Sequence, residues 1–252
     1  MPELLGADLG PGARGGFTTR AGGVSGGPYA APDGSGGLNL GLHVDDEEHD
    51  VLANRHLLDR WAGHPVAWMS QRHSAVVQVV DAVPARGRTT VGECDALVAR
   101  RAGPGAPTVG VMVADCVPLL LATPSGDLVA AAHVGRQGLA SGIVRATLGA
   151  LAAQGAEPAE LYAALGPSIC GRCYEVPAAL REEVAAVVPE ARSTTSWATP
   201  ALDVPAGVMA QLAAAGVRRV TPPAACTRED ERFYSYRRDG RTGRFAGVVR
   251  PA

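Results

Sequence analysis

The amino-acid sequence predicts an α+β fold, a single domain over residues 1–252 in which mixed β-sheet layers are flanked by helices. The chain is long enough for a substantial core, and 46% of its residues are hydrophobic. Its 32 glycines and 19 prolines indicate many turns between short elements, which argues against a helical bundle. Apparent hairpins alternate with helices instead of following strict βαβ order, and this alternation favours α+β.

The order of elements follows from hydrophobic spacing and turn residues. Residues 10–41 are rich in glycine, serine and threonine, and residues 30–37 within them are predicted to form a loop. Apolar residues at helical spacing after an acidic start predict a helix over residues 46–62. Further helices are predicted over 141–154, 177–187 and 205–215. Apolar runs bounded by turn residues predict strands at 76–80, 96–98, 108–113, 119–122, 127–132, 161–165 and 244–249.

Composition excludes several functional classes. The formal net charge is −2, so the chain lacks the basic surplus expected of a nucleic-acid-binding protein. Apart from histidine, every basic residue is an arginine, which excludes a Schiff-base lysine and a P-loop lysine. We expect no signal peptide and no membrane span, because the longest apolar run, 109–122, contains Asp115 and Pro118. Five sparse cysteines do not resemble a secreted disulfide framework, which predicts a cytoplasmic protein.

The residues best suited to chemistry lie at the ends of predicted strands. His73 precedes one strand, Cys116 lies in the break between two others, and His133 ends a further strand. Side chains at strand ends can converge on one cleft. Two imidazoles and one thiolate would provide three ligands to zinc and leave a fourth position for water, as in catalytic sites. The same residues could instead form a Cys–His nucleophile pair without a metal.

Two neighbouring features are less specific. Asp115, beside Cys116, would act as a general base or accept a hydrogen bond from His133, or would only cap its loop. Cys170 and Cys173 have the spacing of a redox or metal-binding pair, but the sequence has no second pair beside them, so the signal is weak.

A longer series of short motifs runs in one order along residues 15–248. The motifs are Phe17-Thr18-Thr19-Arg20, Gly22-Gly23-Val24-Ser25, Leu38-Asn39-Leu40-Gly41, His43-Val44, Asn54-Arg55, Gln71 with His73, Asp95-Ala96-Leu97-Val98, Ala114-Asp115-Cys116 with Pro118, Ala132-His133 with Gly135, Gly166-Pro167-Ser168-Ile169, Cys173-Tyr174-Glu175-Val176, Cys226-Thr227, Tyr234-Ser235-Tyr236-Arg237-Arg238-Asp239-Gly240 and Thr242-Gly243-Arg244. Together they resemble the YfiH-type laccase-domain family of polyphenol oxidase-like proteins. Bacterial members of this family are also called peptidoglycan editing factors.

The resemblance implies a YfiH-like fold and a zinc-dependent enzyme acting on purine nucleosides. The implied reactions are phosphorolysis of adenosine, inosine, guanosine and 5′-methylthioadenosine, and deamination of adenosine. In deamination, a water acidified by zinc would attack purine C6; in phosphorolysis, phosphate held by arginines would attack C1′. The family's zinc ligands fall on His73, Cys116 and His133, with copper as a substitute in vitro. A single trio is too small for the several copper ions of a laccase.

Other residues are candidates for contact with substrate. Arg20, in a glycine-rich segment, would clamp phosphate or ribose or would be a plain surface arginine, and Asn39 would present its amide to the substrate or would only cap a turn. Arg238 matches a late arginine of the family and precedes a predicted hairpin turn at Asp239-Gly240. His43, near the N-terminal motifs, would line the site.

One loop departs from the family pattern. Relatives usually read His-Ala-Gly-Trp-Arg-Gly after the third ligand, and this chain has His133-Val134-Gly135-Arg136-Gln137-Gly138. Arg136 would then replace the family arginine from one position earlier, which affects substrate preference more than metal binding. A milder change places Ser74 after the first ligand, where glycine is usual.

Two alternative functions stay open from the sequence. Cys116 and His133 could be the nucleophile and base of a metal-free hydrolase that edits peptidoglycan precursors. Alternatively, the chain could be a non-catalytic metal-binding scaffold that lost activity with the Trp-Arg pair. Zinc content and turnover of nucleosides distinguish the three hypotheses.

Overall fold

The structure is a computed structural model that describes residues 4–85, 89–101 and 106–252. Its helices are α1 (Glu48–Ala62), α2 (Arg136–Ser141), α3 (Ile143–Ala153), α4 (Ala178–Val187), α5 (Val204–Ala214) and α6 (Tyr236–Asp239). Its strands are β1 (Leu4–Gly6), β2 (Ala13–Thr18), β3 (Ala21–Ser25), β4 (Trp68–Ser70), β5 (Val77–Val80), β6 (Thr90–Glu93), β7 (Ala96–Arg100), β8 (Val109–Val113), β9 (Val117–Ala122), β10 (Leu128–Val134), β11 (Tyr162–Leu165), β12 (Arg192–Thr194), β13 (Pro200–Leu202), β14 (Arg219–Thr221) and β15 (Phe245–Pro251).

Two large sheets form the centre of the fold. One has four antiparallel strands in the order β1-β2-β15-β8. The other has six strands in the order β14-β11-β9-β10-β7-β5, antiparallel except for its two outer pairs. The pairs β12-β13 and β4-β6 make two small additional sheets.

The sheets and helices stack in four layers. Side chains of β9 alternate: Leu119 and Leu121 face α3 and α5, whereas Leu120 faces the four-stranded sheet. Side chains of β15 alternate as well, so that Phe245 points to the inter-sheet core and Val248 points to the core beneath α1. The layer order is therefore α1, four-stranded sheet, six-stranded sheet, and α3 with α5. β9 and β10 are covered on both faces and buried throughout, and His133 is the single residue of the two strands that is not apolar.

This architecture confirms the predicted α+β fold and corrects several local predictions. The helix predicted over 141–154 is α3, which begins at Ile143; the short helix α2 was not predicted, and Gly142, with φ of 90°, separates the two helices. The hairpin turn predicted at Asp239-Gly240 is wrong: residues 236–239 form the short helix α6, and Ser235 caps it by accepting the Arg238 N–H. The glycine-rich segment 10–41, where only the loop over 30–37 is predicted, also contains the strands β2 and β3. Among the described residues, no helix is both long and apolar enough to cross a membrane.

Candidate active site

Three separate segments bring His73, Cys116 and His133 together. His73 lies in the loop after β4, Cys116 lies between β8 and β9, and His133 lies near the end of β10. Their ligand-type nitrogen and sulfur atoms all lie within 4.8 Å of one another, and the Cys116 Sγ is 3.9 Å from the His73 Nε2. The two imidazole rings meet edge to face, with centroids 4.7 Å apart. The structure thus brings together the three predicted metal ligands.

A fully buried carboxylate, Asp95, organises this cluster. The Asp95 Oδ1 accepts hydrogen bonds from the His133 Nδ1 at 2.8 Å and the His73 N–H at 3.0 Å. Its Oδ2 accepts from the Ser74 N–H at 2.7 Å and the Ser74 hydroxyl at 2.6 Å. Asp95 therefore leaves the His133 Nε2 as the free ring nitrogen, the arrangement usual for metal-ligating histidines. The serine at position 74 adds a hydrogen bond that glycine would lack.

Local backbone geometry at the cluster is tight and strained. His73 and Asp115 have φ of 59° and 96°, in the left-handed region that non-glycine residues rarely adopt. Gly135 passes so close that a Cβ there would lie 2.7 Å from the His73 ring and 3.1 Å from the Cys116 Sγ. Such strain often marks functional sites, where the surrounding structure holds a required geometry.

The electrostatics favour a thiolate at Cys116. Burial alone would raise the pKa of Cys116, but His133 and His73 outweigh it and lower the pKa to about 6. Burial alone would lower the pKa of His133, but Cys116 and Asp95 raise it to about 9. Near neutral pH, Cys116 is therefore a thiolate beside a protonated His133, which suits an activated nucleophile; a cation bound between them would displace the His133 proton.

Asp115 binds the neighbouring loops and not His133. Its Oδ1 accepts hydrogen bonds from the Thr227 and Ser235 hydroxyls at 2.6 and 2.7 Å, and its Oδ2 accepts from the Arg237 N–H at 2.7 Å. The expectation that Asp115 would orient His133 is corrected, because Asp95 does so. With its oxygens engaged in this way, Asp115 is placed as a loop cap, one of the roles that the sequence allowed.

The cluster opens into a cavity of about 680 Å³. This volume is in the range of small-molecule sites. His43, predicted to line the site, lies in the wall, as do Arg136 and Gln137 of the divergent loop. Further lining residues are Met69, Ser70, Gln71, Arg72, Met112, Val113, Ala114, Asp115, Gly135, Ile169, Tyr174, Val204, Tyr236, Arg237 and Arg244.

Three arginines of the wall carry positive charge into the cavity. The ion pairs found among the described residues involve other arginines, so Arg136, Arg237 and Arg244 have no carboxylate partner in those ranges. Arg237 and Arg244 each also donate through Nη1 to nearby backbone carbonyls, which fixes the guanidinium groups in the wall without neutralising their charge. Burial raises the pKa of Tyr174. The negative charge of Cys116 adds to that effect, whereas Arg136 and Arg237 oppose it. Unneutralised guanidinium groups in a cavity are suited to a bound anion.

The other predicted substrate contacts lie outside the cavity wall. Arg20 donates to the Ala30 carbonyl at 2.6 and 2.9 Å. The Arg238 Nη1 and Nη2 donate to the carbonyls of Thr227 and Phe233 at 2.7 and 2.8 Å. Both guanidinium groups thus bind backbone within the described fold.

Asn39 is connected to the cavity through the backbone. Its side chain is fully buried, and its Oδ1 accepts the N–H of Arg244 at 2.8 Å. Its Nδ2 donates to the Asp46 carboxylate at 2.8 Å. Asn39 therefore holds the segment that presents Arg244 instead of lining the cavity itself.

Sequence reasoning missed Asp95, Arg237 and Arg244 as site residues. All three lie within the ordered motifs, which was the available signal. Asp95 also precedes a buried strand directly, and a buried carboxylate requires partners. The partners themselves are distant in sequence and become visible only in the fold.

Comparisons with known proteins show the family to which the chain belongs. A family model described as multi-copper polyphenol oxidoreductase laccase matches residues 14–251. A Streptomyces coelicolor protein named purine nucleoside phosphorylase is 49% identical over 241 residues, covering 94% of this chain and 95% of that protein. A Corynebacterium glutamicum protein with the same name is 42% identical over 236 residues, covering 92% of each.

Solved structures agree with the sequence matches. A Neisseria meningitidis protein of the DUF152 family superposes with a TM-score of 0.83 at 35% identity, covering 98% of each chain. YfiH of Bacillus licheniformis superposes with a TM-score of 0.78 at 27% identity, covering 94% of this chain and 92% of that one. The ordered motifs, the fold and these matches agree, and the chain belongs to the laccase-like multi-copper polyphenol oxidoreductase family, among YfiH-type relatives named purine nucleoside phosphorylases.

Proposed function

We propose that this protein is a metal-dependent purine nucleoside phosphorylase. The observation that carries the proposal is the set of three cavity arginines without carboxylate partners in the described ranges, next to the His73–Cys116–His133 cluster. The names of its relatives support the same activity. The proposed substrates are adenosine, inosine, guanosine and 5′-methylthioadenosine, together with inorganic phosphate.

The donor set of the cluster fits zinc. Two imidazole nitrogens and one thiolate are typical zinc ligands, and Asp95 fixes the ring of His133 from behind. When bound, zinc supplies a Lewis acid that polarises a substrate atom. We propose zinc instead of copper, because a laccase needs several copper ions and this cluster offers three ligands. The free thiols suit a reducing compartment, and we place the protein in the cytoplasm.

In phosphorolysis, a phosphate oxygen bonds to ribose C1′ while the C1′–N9 bond breaks. The electron pair of that bond leaves on the purine, giving ribose 1-phosphate and the free base. We assign Arg136, Arg237 and Arg244 to hold the phosphate, because guanidinium groups bind phosphate oxygens in pairs of hydrogen bonds. Tyr236, whose side chain is 63% exposed at the cavity rim, offers an aromatic face to the base.

Adenosine deamination is the second activity that we propose for this cavity. In that reaction water replaces the amino group at C6, and ammonia leaves.

The apolar wall at Met69, Met112 and Val204 would accept substituents at the 5′ position, such as a methylthio group.

The metal-free hydrolase is the alternative that one observation favours. The lowered pKa of Cys116, about 6, would suit a nucleophile beside His133. The phosphorylase and the metal-free hydrolase would both require Cys116. They differ because only the phosphorylase would require phosphate and a bound metal. A scaffold would bind metal without turnover.

The test is a chromatographic product assay with adenosine, with and without phosphate, on protein of known metal content. We expect adenine only with phosphate, and slower formation of inosine without it. Arg136→Ala should raise the KM for phosphate about tenfold, since one charged hydrogen-bond donor is lost. Arg100→Ala, an exposed arginine paired with Asp81 outside the cavity, is the matched control.

Each other outcome points to one alternative. Zinc-loaded protein that makes no product from any nucleoside would refute the proposal and favour a scaffold. Activity that survives complete metal removal would favour the hydrolase. Inosine alone, at a rate independent of phosphate, would limit the function to deamination.

A further inference from the structure

A second cluster of metal-type ligands lies apart from the cavity. The ligand atoms of Cys170, Cys173, Cys226 and Glu229 all lie within 4.8 Å of one another. Cys173 is buried, Cys170 and Cys226 are half-buried, and Glu229 is exposed. The first two cysteines alone gave a weak sequence signal, because the other half of the cluster lies more than fifty residues further along the chain.

Two matching turns build the cluster. In the first turn, the Cys170 carbonyl accepts the N–H groups of Cys173 and Tyr174, both at 3.0 Å. In the second turn, the Cys226 carbonyl accepts the N–H groups of Glu229 and Asp230, at 3.1 and 2.9 Å. Each turn therefore presents ligand side chains at its first and fourth residues, the spacing of many structural zinc sites.

Hydrogen bonds fasten the two turns face to face. The Thr227 N–H donates to the Ser168 carbonyl at 3.1 Å, and the Arg228 guanidinium donates to the Cys173 carbonyl at 3.2 Å. The Cys170 N–H points to the Cys226 Sγ at 3.4 Å. This N–H lowers the pKa of Cys226, but burial outweighs it and the pKa values of both Cys226 and Cys173 are raised, so a metal bound here would displace protons from thiols.

The first turn also has little freedom to adopt another shape. A Cβ at Gly171 would lie 2.6 Å from the Asp203 side chain and 2.7 Å from the Ser193 Oγ. The Gly171 carbonyl accepts the Ser193 hydroxyl at 3.0 Å. Because the turn is packed in this way, Cys170 and Cys173 are held in place without a metal.

We propose that Cys170, Cys173, Cys226 and Glu229 form a structural binding site for zinc, distinct from the His73–Cys116–His133 cluster. Three sulfurs and one carboxylate oxygen make a closed tetrahedral set, and zinc–sulfur bonds of about 2.3 Å require sulfurs about 3.8 Å apart. The 4.8 Å limit on the donor atoms requires only small side-chain adjustment. A disulfide would use two thiols and leave the third thiol and Glu229 without a role.

The site would brace the wall of the active cavity. The residue after Cys226, Thr227, donates to Asp115, and the residue before Cys170, Ile169, donates its N–H to the Asp115 carbonyl at 2.9 Å. Asp115 is adjacent to Cys116. A cation joining the two turns would therefore hold the loops on which one side of the cavity depends.

The test is the zinc content per chain, measured by plasma mass spectrometry on protein purified under reducing conditions. We expect two zinc ions in the parent protein and one in the Cys116→Ala variant. We also expect one in the double variant Cys170→Ser/Cys173→Ser. Cys94→Ala, which removes a buried thiol outside both clusters, should keep two.

Cobalt substitution gives a readout that does not depend on the double variant folding. In Cys116→Ala, which lacks the thiolate of the first cluster, cobalt should still give intense sulfur-to-metal charge-transfer bands. Glu229→Gln, at an exposed position, should change the cobalt ligand-field spectrum and release zinc to a chelator more readily.

Two results would overturn the site. One is a single zinc per parent chain that disappears in Cys116→Ala, with no charge-transfer band from cobalt. The other is a Cys170–Cys173 or Cys173–Cys226 disulfide in protein kept reduced during purification, found as a loss of two mass units. Neither result depends on nucleoside turnover, so failure of the proposed activity and failure of this site are distinguishable.

Discussion

Replacing Asp95 with asparagine keeps the size of the side chain and removes the charge on which the metal cluster is built. The fully buried carboxylate accepts hydrogen bonds from His133, from the His73 N–H, twice from Ser74, and from the Arg72 N–H, which both oxygens share. Asparagine has one acceptor oxygen. If that oxygen faces His133, its amide NH2 faces the Ser74 N–H, which is left buried without an acceptor.

The cost follows from these contacts. An unsatisfied N–H costs about 1–3 kcal/mol, and the two bonds to the remaining oxygen, from His133 and His73, each lose the charge assistance that makes them about 1 kcal/mol stronger than neutral ones. The Ser74 hydroxyl can turn to accept from the new amide. We therefore expect Asp95→Asn to lower the free energy of unfolding by about 3–5 kcal/mol. Metal affinity should fall about 10–100-fold, because His133 loses its orienting carboxylate.

Urea denaturation of the metal-free proteins measures the first effect, and chelator competition measures the second. Asp81→Asn, an exposed carboxylate paired with Arg100, is the matched control and should change the free energy of unfolding by less than about 0.5 kcal/mol. An Asp95→Asn protein as stable as this control, with parental zinc affinity, would refute the assigned role of Asp95.

Three further predictions concern neighbouring features. Gly135→Ala should reduce zinc affinity, measured by chelator competition, since its Cβ would meet His73 at 2.7 Å. Gly149→Ala, in open space on α3, should instead stabilise the fold by about 0.5–1 kcal/mol, measured by urea denaturation. Gly171→Ala should cost about 1–3 kcal/mol by crowding Asp203, measured by thermal unfolding. Burial alone would raise the pKa of Asp95, but hydrogen bonds from His133 and Ser74 hold that pKa well below its usual range. The contribution of Asp95 to the free energy of unfolding is therefore complete above about pH 4 and is lost as the pH falls further. As the pH is lowered, the free energy of unfolding should fall more steeply for the parent protein than for Asp95→Asn.

The parts of the fold predicted from sequence are those in which local pattern and burial agree. Strands β8 to β11 are apolar runs between turn residues, and α1 has helical spacing after an acidic start. Strand β2 was missed because Gly15 and Gly16 lower its β-propensity. A Cβ at either position would lie within 2.5 Å of a carbonyl oxygen of a neighbouring strand, so glycine is required by close packing that the sequence does not display.

The candidate site divides in the same way. His73, Cys116 and His133 were identified because their residue types are chemically distinctive and they lie at element ends. Arginine is common in this chain, which has no lysine, so only their place within the ordered motifs distinguishes Arg237 and Arg244 from the other arginines. Their position depends on the hydrogen bonds to Asp115 and Asn39, which join segments more than a hundred residues apart.

The place of β15 within the four-stranded sheet constrains how the protein is made. β15 pairs with β2 on one side and with β8 on the other, so neither strand completes its hydrogen bonding until residues 245–251 have left the ribosome. Until then β8, which is apolar throughout, has an open edge of the kind that promotes aggregation. Arg244, the residue before β15, arrives with it. The nascent chain therefore closes its inter-sheet core and brings Arg244 into the cavity wall in the same step, once residues 245–251 have emerged.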